Sequence, residues 1–252
     1  MSANSTPVYS NQSGIHDHLA HLLSRHANSL FLKPIAAYNQ QAFDLAMLAW
    51  SHAGKAPLII DAGCGVGLST FNLAQQFPDH FVIGIDQSAD RLARKVSWPG
   101  EPPANCLRVR ADMVDFWRLL GRAGVTPARQ YILYPNPWPK KTQLGRRWHG
   151  HPVFPEVVGL GGWFECRSNW KIYVEECAAA LTQLTGQHVG VQAYFPALTA
   201  APALADGKPA LPSGDAAAPI TPFEQKYLAS GHGLWRCRID LPARAAMATV
   251  LP

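Results

Sequence analysis

Several things are scarce in this chain of 252 residues, and each shortage removes a class of protein. There are only five cysteines, Cys64, Cys106, Cys166, Cys177 and Cys237, and they are scattered and never spaced C-x-x-C. That pattern argues against a disulfide scaffold and against a zinc module, and it favours a reducing compartment. No apolar run approaches the roughly 20 residues needed to span a bilayer, and the N-terminus has no basic start followed by an apolar core. No membrane association and no secretory signal are therefore expected, and the expected location is cytoplasmic. Charged residues make up only 15% against 48% hydrophobic, which excludes a chain kept unfolded by charge. Acids are outnumbered, 17 Asp and Glu against 22 Lys and Arg, for a net charge of +5. So mild an excess permits a polyanionic partner without requiring one. Its clustering says more, because Lys140, Lys141, Arg146 and Arg147 share one short stretch.

What is present is an alternation of strands and helices. Residues 1–14 are polar and turn-rich, and Ile15 to Trp50 repeats apolar residues at helical spacing, so residues 1–50 read as a polar segment and a helical extension. From residue 51 to 252 a single larger unit follows. Predicted strands are Leu58–Ile60, Phe81–Ile85, Leu107–Arg110, Tyr131–Tyr134 and Trp163–Arg167, with helices at Leu68–Phe77, Ala89–Val96 and Ile172–Leu184 between or after them. Val189–Phe195 reads as a further strand, Thr221–Leu228 as a short helix and Leu234–Leu241 as a closing strand. Residues 196–219 are Ala/Pro/Gly-rich and read as a flexible loop. Such alternation implies an α/β fold with a mostly parallel twisted sheet and helices on both faces.

Asp61-Ala62-Gly63-Cys64-Gly65-Val66-Gly67 directly follows the first strand and opens the first helix of that unit. Glycines at alternate positions allow a tight turn and close approach of a ligand, at the strand end where open α/β sheets bind one. A dinucleotide would need G-x-G-x-x-G to seat its pyrophosphate. Here the spacing is G-x-G-x-G, preceded by a carboxylate that repels pyrophosphate but suits the cationic amino-acid end of S-adenosylmethionine (S-adenosyl-L-methionine). The sulfonium cofactor is the favoured reading. Asp61, Gly63 and Gly65 would form its cradle, and Asp86, closing the second strand, would accept from ribose hydroxyls. Asp112 could reach the adenine amino group or could simply cap a helix. Tyr134 is placed on the cofactor side.

Tyr134-Pro135-Asn136-Pro137-Trp138-Pro139-Lys140-Lys141 leaves a buried strand with three prolines stiffening it. One amide and one indole are thereby held on a rim backed by cations. A nucleobase within a polynucleotide fits that description, although a Pro-rich surface turn is the plain alternative.

With the glycine loop ahead of it, this block resembles the tRNA (guanine-N7)-methyltransferase family, class I methyltransferases with a Rossmann-like fold. That family carries P-D-P-W-x-K-K at the fourth strand. Gly161-Gly162 and the run to Asn169 and Tyr173 resemble its Gly-Gly turn and Thr-Asp-x-x-x-Tyr element, and Thr221-Pro222-Phe223-Glu224 resembles its late Thr-x-Phe-Glu motif. The likeness runs from about residue 57 to residue 240, and Asn136 and Asn169 stand where the family has Asp. It implies methyl transfer from S-adenosylmethionine to guanine N7 of tRNA, with no DNA partner, by a monomer or homodimer. It implies that Asn136, Trp138, Asn169 and Glu224 shape the acceptor pocket, and that Thr221 with Lys140, Lys141, Arg146 and Arg147 holds the substrate.

The residues leave alternatives. A carboxylate would accept both donors of guanine's N1–H and amino edge, whereas an Asn offers one acceptor and one donor. Asn136-Pro137-Trp138 also invites comparison with loops that methylate exocyclic base amines, where an Asn oxygen accepts the amine hydrogen and an aromatic ring stacks. A small-molecule acceptor and a non-catalytic cofactor-binding relative are further possibilities. Thr221 to Glu224 equally fits a helix capping box, and the four cations equally fit a solvated loop. His149 and His151 read as loop residues, with no metal expected.

Overall fold

The computed structural model describes residues 5–194 and 220–242. The predicted loop at 196–219 lies outside those residues, as does Phe195 at the end of its predicted strand. In chain order the elements are α1 (Leu19–Ala27), α2 (Ala37–His52), β1 (Leu58–Ala62), α3 (Leu68–Gln76), β2 (Phe81–Asp86), α4 (Ala89–Leu92), β3 (Cys106–Arg110), α5 (Met113–Arg122), β4 (Arg129–Leu133), α6 (Phe154–Gly159), β5 (Gly162–Ser168), α7 (Lys171–Thr185), β6 (Val191–Tyr194), α8 (Pro222–Ala229) and β7 (Leu234–Leu241). Two 3-10 helices, Lys141–Arg146 and Trp148–Gly150, lie between β4 and α6.

The seven strands form one sheet in the order β3-β2-β1-β4-β5-β7-β6. The five on the β3 side run parallel, and β7 runs antiparallel between β5 and β6. Side chains alternate across it, as a period of two requires. Leu58, Ile60, Phe81, Ile83, Ile85 and Ile132 point into a core shared with α1, α2, α5, α6 and α7. Ile59, Val82, Tyr131 and Leu133 point into a smaller core shared with α3 and α8. Burial on both faces explains why these strands read as unbroken apolar runs. The order reverses between β1 and β4, which is where a doubly wound sheet opens a crevice at its carboxyl edge.

Two predicted elements differ from the structure, and two helices, α5 and α6, are not among the predicted ones. The helical stretch from Ile15 to Trp50 is two helices, because Asn28 and Ser29 fold back onto the carbonyls of Ser24 and Arg25 and close α1. The helix predicted to Val96 stops at Leu92; α4 buries no side chain, so nothing supports a further turn. An unpredicted helix, α5, follows Asp112, which caps it by accepting from the Val114 N–H at 2.9 Å. It carries a buried ion pair that docks the N-terminal helices. Asp115 accepts from the Ala36 N–H and the Asn39 amide, while Arg118 donates to the Lys33 and Phe31 carbonyls.

Candidate active site

Between β1 and α3 the chain turns through Gly63, Gly65 and Gly67, all at positive φ, 76°, 62° and 93°. A Cβ at Gly63 or Gly65 would meet nothing within 4 Å, so the backbone there faces open space; at Gly67 it would strike the Arg108 side chain. The turn's N–H groups are engaged internally. Gly63 and Cys64 donate to the Ile85 carbonyl, Gly67 to the Cys64 carbonyl, and Gly65 to Asp86 Oδ2 at 3.0 Å. Those N–H groups are therefore not free to seat a pyrophosphate, and the dinucleotide alternative loses its physical basis.

Asp61 lies beneath this turn, 1% exposed. Its Oδ2 accepts from the Ser69 and Thr70 hydroxyls at 2.6 and 2.7 Å, while its Oδ1 is buried with no hydrogen-bond partner among the described residues. Burial first, opposed by those two hydroxyls and reinforced by Asp86, raises its pKa to about 6. A buried carboxylate oxygen without a donor is costly alone and strongly complementary to a cation. Asp86 also accepts from the Ser88 N–H and lies 3.6 Å from the Arg91 guanidinium. Asp112 caps α5 with Oδ1, and its Oδ2 faces the Lys33 ammonium at 3.5 Å. The capping role is therefore real.

Beside β1, the Tyr134 N–H is fixed to the Arg167 carbonyl of β5 at 2.9 Å. Among the described residues three non-glycines have positive φ, and two of them, Tyr134 (50°) and Trp138 (45°), bracket Asn136. Left-handed backbone at such residues costs on the order of 1–3 kcal/mol each and persists only where the surroundings impose it. Asn136 is exposed, with Oδ1 3.4 Å from the Trp138 N–H. The Arg146 guanidinium lies over the Trp138 ring at 4.8 Å from its centre. Lys140 and Lys141 are exposed beside them. Asn169, just past β5, pairs with His232 at 3.3 Å. Burial, then the nearby Glu224 charge, pushes the Tyr134 phenol far above its ordinary range, so it stays protonated.

Three predicted substrate-side residues have other duties. Arg147 is fully buried: it pairs with Glu176, binds Gln12 Oε1 and holds the Trp138 and Lys140 carbonyls, so it cannot meet a phosphate. Glu224 is also fully buried. Its Oε1 accepts from Arg167 at 2.8 Å and its Oε2 from the Ile220 and Thr221 N–H groups, leaving no face for guanine. Thr221 accepts from the Glu224 N–H and completes a capping box at α8, so it is a helix cap and not a substrate contact. His149, read as a loop residue, is a buried member of the Arg147 network and lies 2.9 Å from Glu176. The sequence reading also missed Gln12, Glu176, Ser69 and Thr70. Ser69 and Thr70 had a signal, since hydroxyls in the first turn after a glycine loop point back at the strand end; Gln12 and Glu176 had none.

A doubly wound sheet with an antiparallel β7 inserted beside β5, and a glycine turn over a buried carboxylate at the β1 end, defines the class I methyltransferase fold. The family described as "Putative methyltransferase" matches residues 55–237, and the chain belongs to it. The chain is 28% identical to the tRNA (guanine-N(7)-)-methyltransferase of Nitrosococcus oceani, over 73% of this chain and 71% of that protein. It is equally 28% identical to the protein of the same name from Sodalis glossinidius, over 79% of this chain and 77% of that one. Among solved structures, an antibiotic-related methyltransferase superposes with a TM-score of 0.48 at 16% identity, over 85% of this chain and 98% of that one. The chain is an S-adenosylmethionine-dependent methyltransferase, and the unpartnered Asp61 Oδ1 and the open glycine turn fit that cofactor. No helix among the described residues is long and apolar enough to cross a membrane.

Proposed function

We propose that this methyltransferase acts on N7 of a guanine in tRNA, as its relatives' names state for them. The observation that carries the reading is the strained lip. Tyr134 and Trp138 hold Asn136 out at the carboxyl edge of β4, at the switch point beside the glycine turn, with Lys140, Lys141 and Arg146 adjoining. The cofactor supplies an electrophilic methyl on a sulfonium, and guanine N7 supplies a lone pair with no proton to remove. Methyl transfer to such a lone pair would need no general base from the protein. The protein's work is alignment. Asp61 would hold the cofactor's ammonium, Gly63 and Gly65 would admit it closely, and Asp86 and Asp112 would take its ribose and adenine. Tyr134 would wall the crevice, Trp138 would stack on the base, and Asn136 and Asn169 would bond its edge.

A second reading, an exocyclic base amine or another acceptor, is favoured by one observation. Glu224 is engaged by Arg167, so the predicted acceptor residues left to face a base offer amides and no carboxylate. The test is to incubate the purified protein with methyl-labelled S-adenosylmethionine and bulk tRNA lacking 7-methylguanosine, then analyse the digested nucleosides by mass spectrometry. Labelled 7-methylguanosine is the expected product. A labelled exocyclic methylamine would establish the base-amine form of the second reading, and cofactor binding with no labelled nucleoside would remove every RNA acceptor and leave a small-molecule acceptor or a binding role.

A further inference from the structure

The segment ahead of α1 is tied down by side-chain bonds along its length. The Ser5 N–H donates to Ser230 Oγ at 3.1 Å, and His232 Nε2 lies 3.0 Å from the Ser5 carbonyl. Ser10 Oγ donates to the Pro139 carbonyl at 2.6 Å. Gln12 is 6% exposed, its amide donating to Glu176 and accepting from Arg147. These anchors strap residues 5–12 across the rim formed by the lip and the α8–β7 turn, whose His232 also touches Asn169.

Between the anchors Tyr9 is left 77% exposed. It faces a cleft of about 540 Å³, with Tyr9, Ser10 and Asn11 of the strap on one side and Pro139, Lys140 and Lys141 of the lip on the other. One wall therefore offers an aromatic face and an amide, and the other two ammonium groups. An aromatic ring opposite cations suits a ligand that is itself a flat ring carrying an anion. We propose that this cleft is a second nucleotide subsite. It takes a single-stranded nucleotide flanking the methylated base, with the base stacked on Tyr9 and its phosphate on Lys140 and Lys141. The inference rests on the RNA reading above. It goes beyond that reading because the family match begins at residue 55, so half of the subsite comes from a part of the chain outside it.

The test measures affinity of the full chain for bulk tRNA lacking 7-methylguanosine across a salt series. Stacking releases no counterions, so Tyr9→Ala is expected to weaken binding about tenfold with its salt slope unchanged, while Tyr9→Trp keeps wild-type affinity. Lys140→Gln with Lys141→Gln is expected to flatten the slope by about 0.7, the single-strand value for one phosphate. Cofactor affinity by calorimetry stays at the wild-type value in each. The Tyr9 side chain is exposed, so these variants fold, and their melting curves check it. Wild-type affinity in Tyr9→Ala, or equal loss in Tyr9→Ala and Tyr9→Trp, overturns the subsite. A wild type that methylates tRNA while Tyr9→Ala behaves identically removes the subsite alone, and a wild type without affinity for tRNA removes the RNA reading with it.

Discussion

The two ends of the crevice are built differently. The cofactor end is compact in sequence: Asp61, the three glycines, Ser69 and Thr70 lie within ten residues, and the turn's other ties go to Ile85 and Asp86 at the end of the adjacent strand β2. The acceptor rim is long-range, drawing on the strap, the lip, the end of β5, α7 and the α8–β7 turn. Arg146 and Arg147 carry the consequence. Neighbours of identical chemistry, one lies exposed over Trp138 and the other is wholly buried against Glu176. Local geometry decides the first end and distant partners decide the second.

The largest effect that would break this comparison is removal of Arg147's partner. Glu176→Ala leaves a guanidinium buried without its carboxylate, which costs about 3–5 kcal/mol. The rim should then loosen while the glycine turn does not. Urea unfolding should show the loss, and cofactor affinity measured below the transition should stay near wild type. Equal loss of cofactor affinity would mean the ends are not separable. The pH dependence comes from the same residue. Burial alone would raise the Glu176 pKa, but bonds from His149 and Arg147 outweigh it and hold it at about 2. A depressed carboxyl stabilises the fold above its unfolded pKa of about 4.5, and that contribution is lost as pH falls through about 2.

Asp61 has the opposite sign. Its pKa is raised to about 6, so the stability this group contributes is fully present below about 3.8 and is lost as pH rises through about 6. At pH 7 the ionised carboxylate destabilises the free protein and, on the reading proposed above, would serve the cofactor. Asp61→Asn should therefore raise the melting temperature, by about 1–2 kcal/mol of stability, while weakening cofactor binding at least tenfold. Cofactor affinity of the wild type should also fall as pH drops below about 6. Calorimetry on both proteins at pH 5 and pH 7.5 checks this, and a variant that loses stability along with affinity would show Asp61 to be structural.

This contrast also explains what is legible in the sequence. β1, β2 and β4 are readable because two-faced burial makes them unbroken apolar runs, and the glycine turn because its spacing is itself its geometry. α5 is harder to see, because its cap, Asp112, is an acid at a strand end that suits a cofactor contact equally well. On the rim, the capping alternative at Thr221 and Glu224 is visible in the four residues, but what removes Glu224 from guanine is Arg167, 57 residues away. Gln12 meets Arg147 across 135 residues, which no local pattern encodes.

A middle-sized effect sharpens the chemistry of the rim. If guanine is the acceptor, Asn136→Asp supplies a second acceptor for its donor edge, and kcat/KM on tRNA should rise several-fold, up to about tenfold. If an exocyclic amine is the acceptor, the same change should lower it, because the amide's polarity is then the matched one. Steady-state rates on one tRNA preparation separate the two.

The smallest effect is the most diagnostic, because it sets Arg146 directly against its neighbour. Arg146 is exposed, and among the described contacts its ring partner Trp138 is on the same lip. Arg146→Ala should thus change folding stability by less than about 0.5 kcal/mol, as exposed substitutions do. It should nevertheless reduce the salt slope of tRNA binding by about 1, the signature of one phosphate contact. Arg147→Ala should do the reverse, destabilising by several kcal/mol in the manner of Glu176→Ala, with no phosphate contact of its own to lose. Finding both variants stable with equal slopes would mean that burial does not distinguish the pair. Finding Arg146→Ala inert in both assays would confine the phosphate path to Lys140 and Lys141, and so to the cleft beneath the strap.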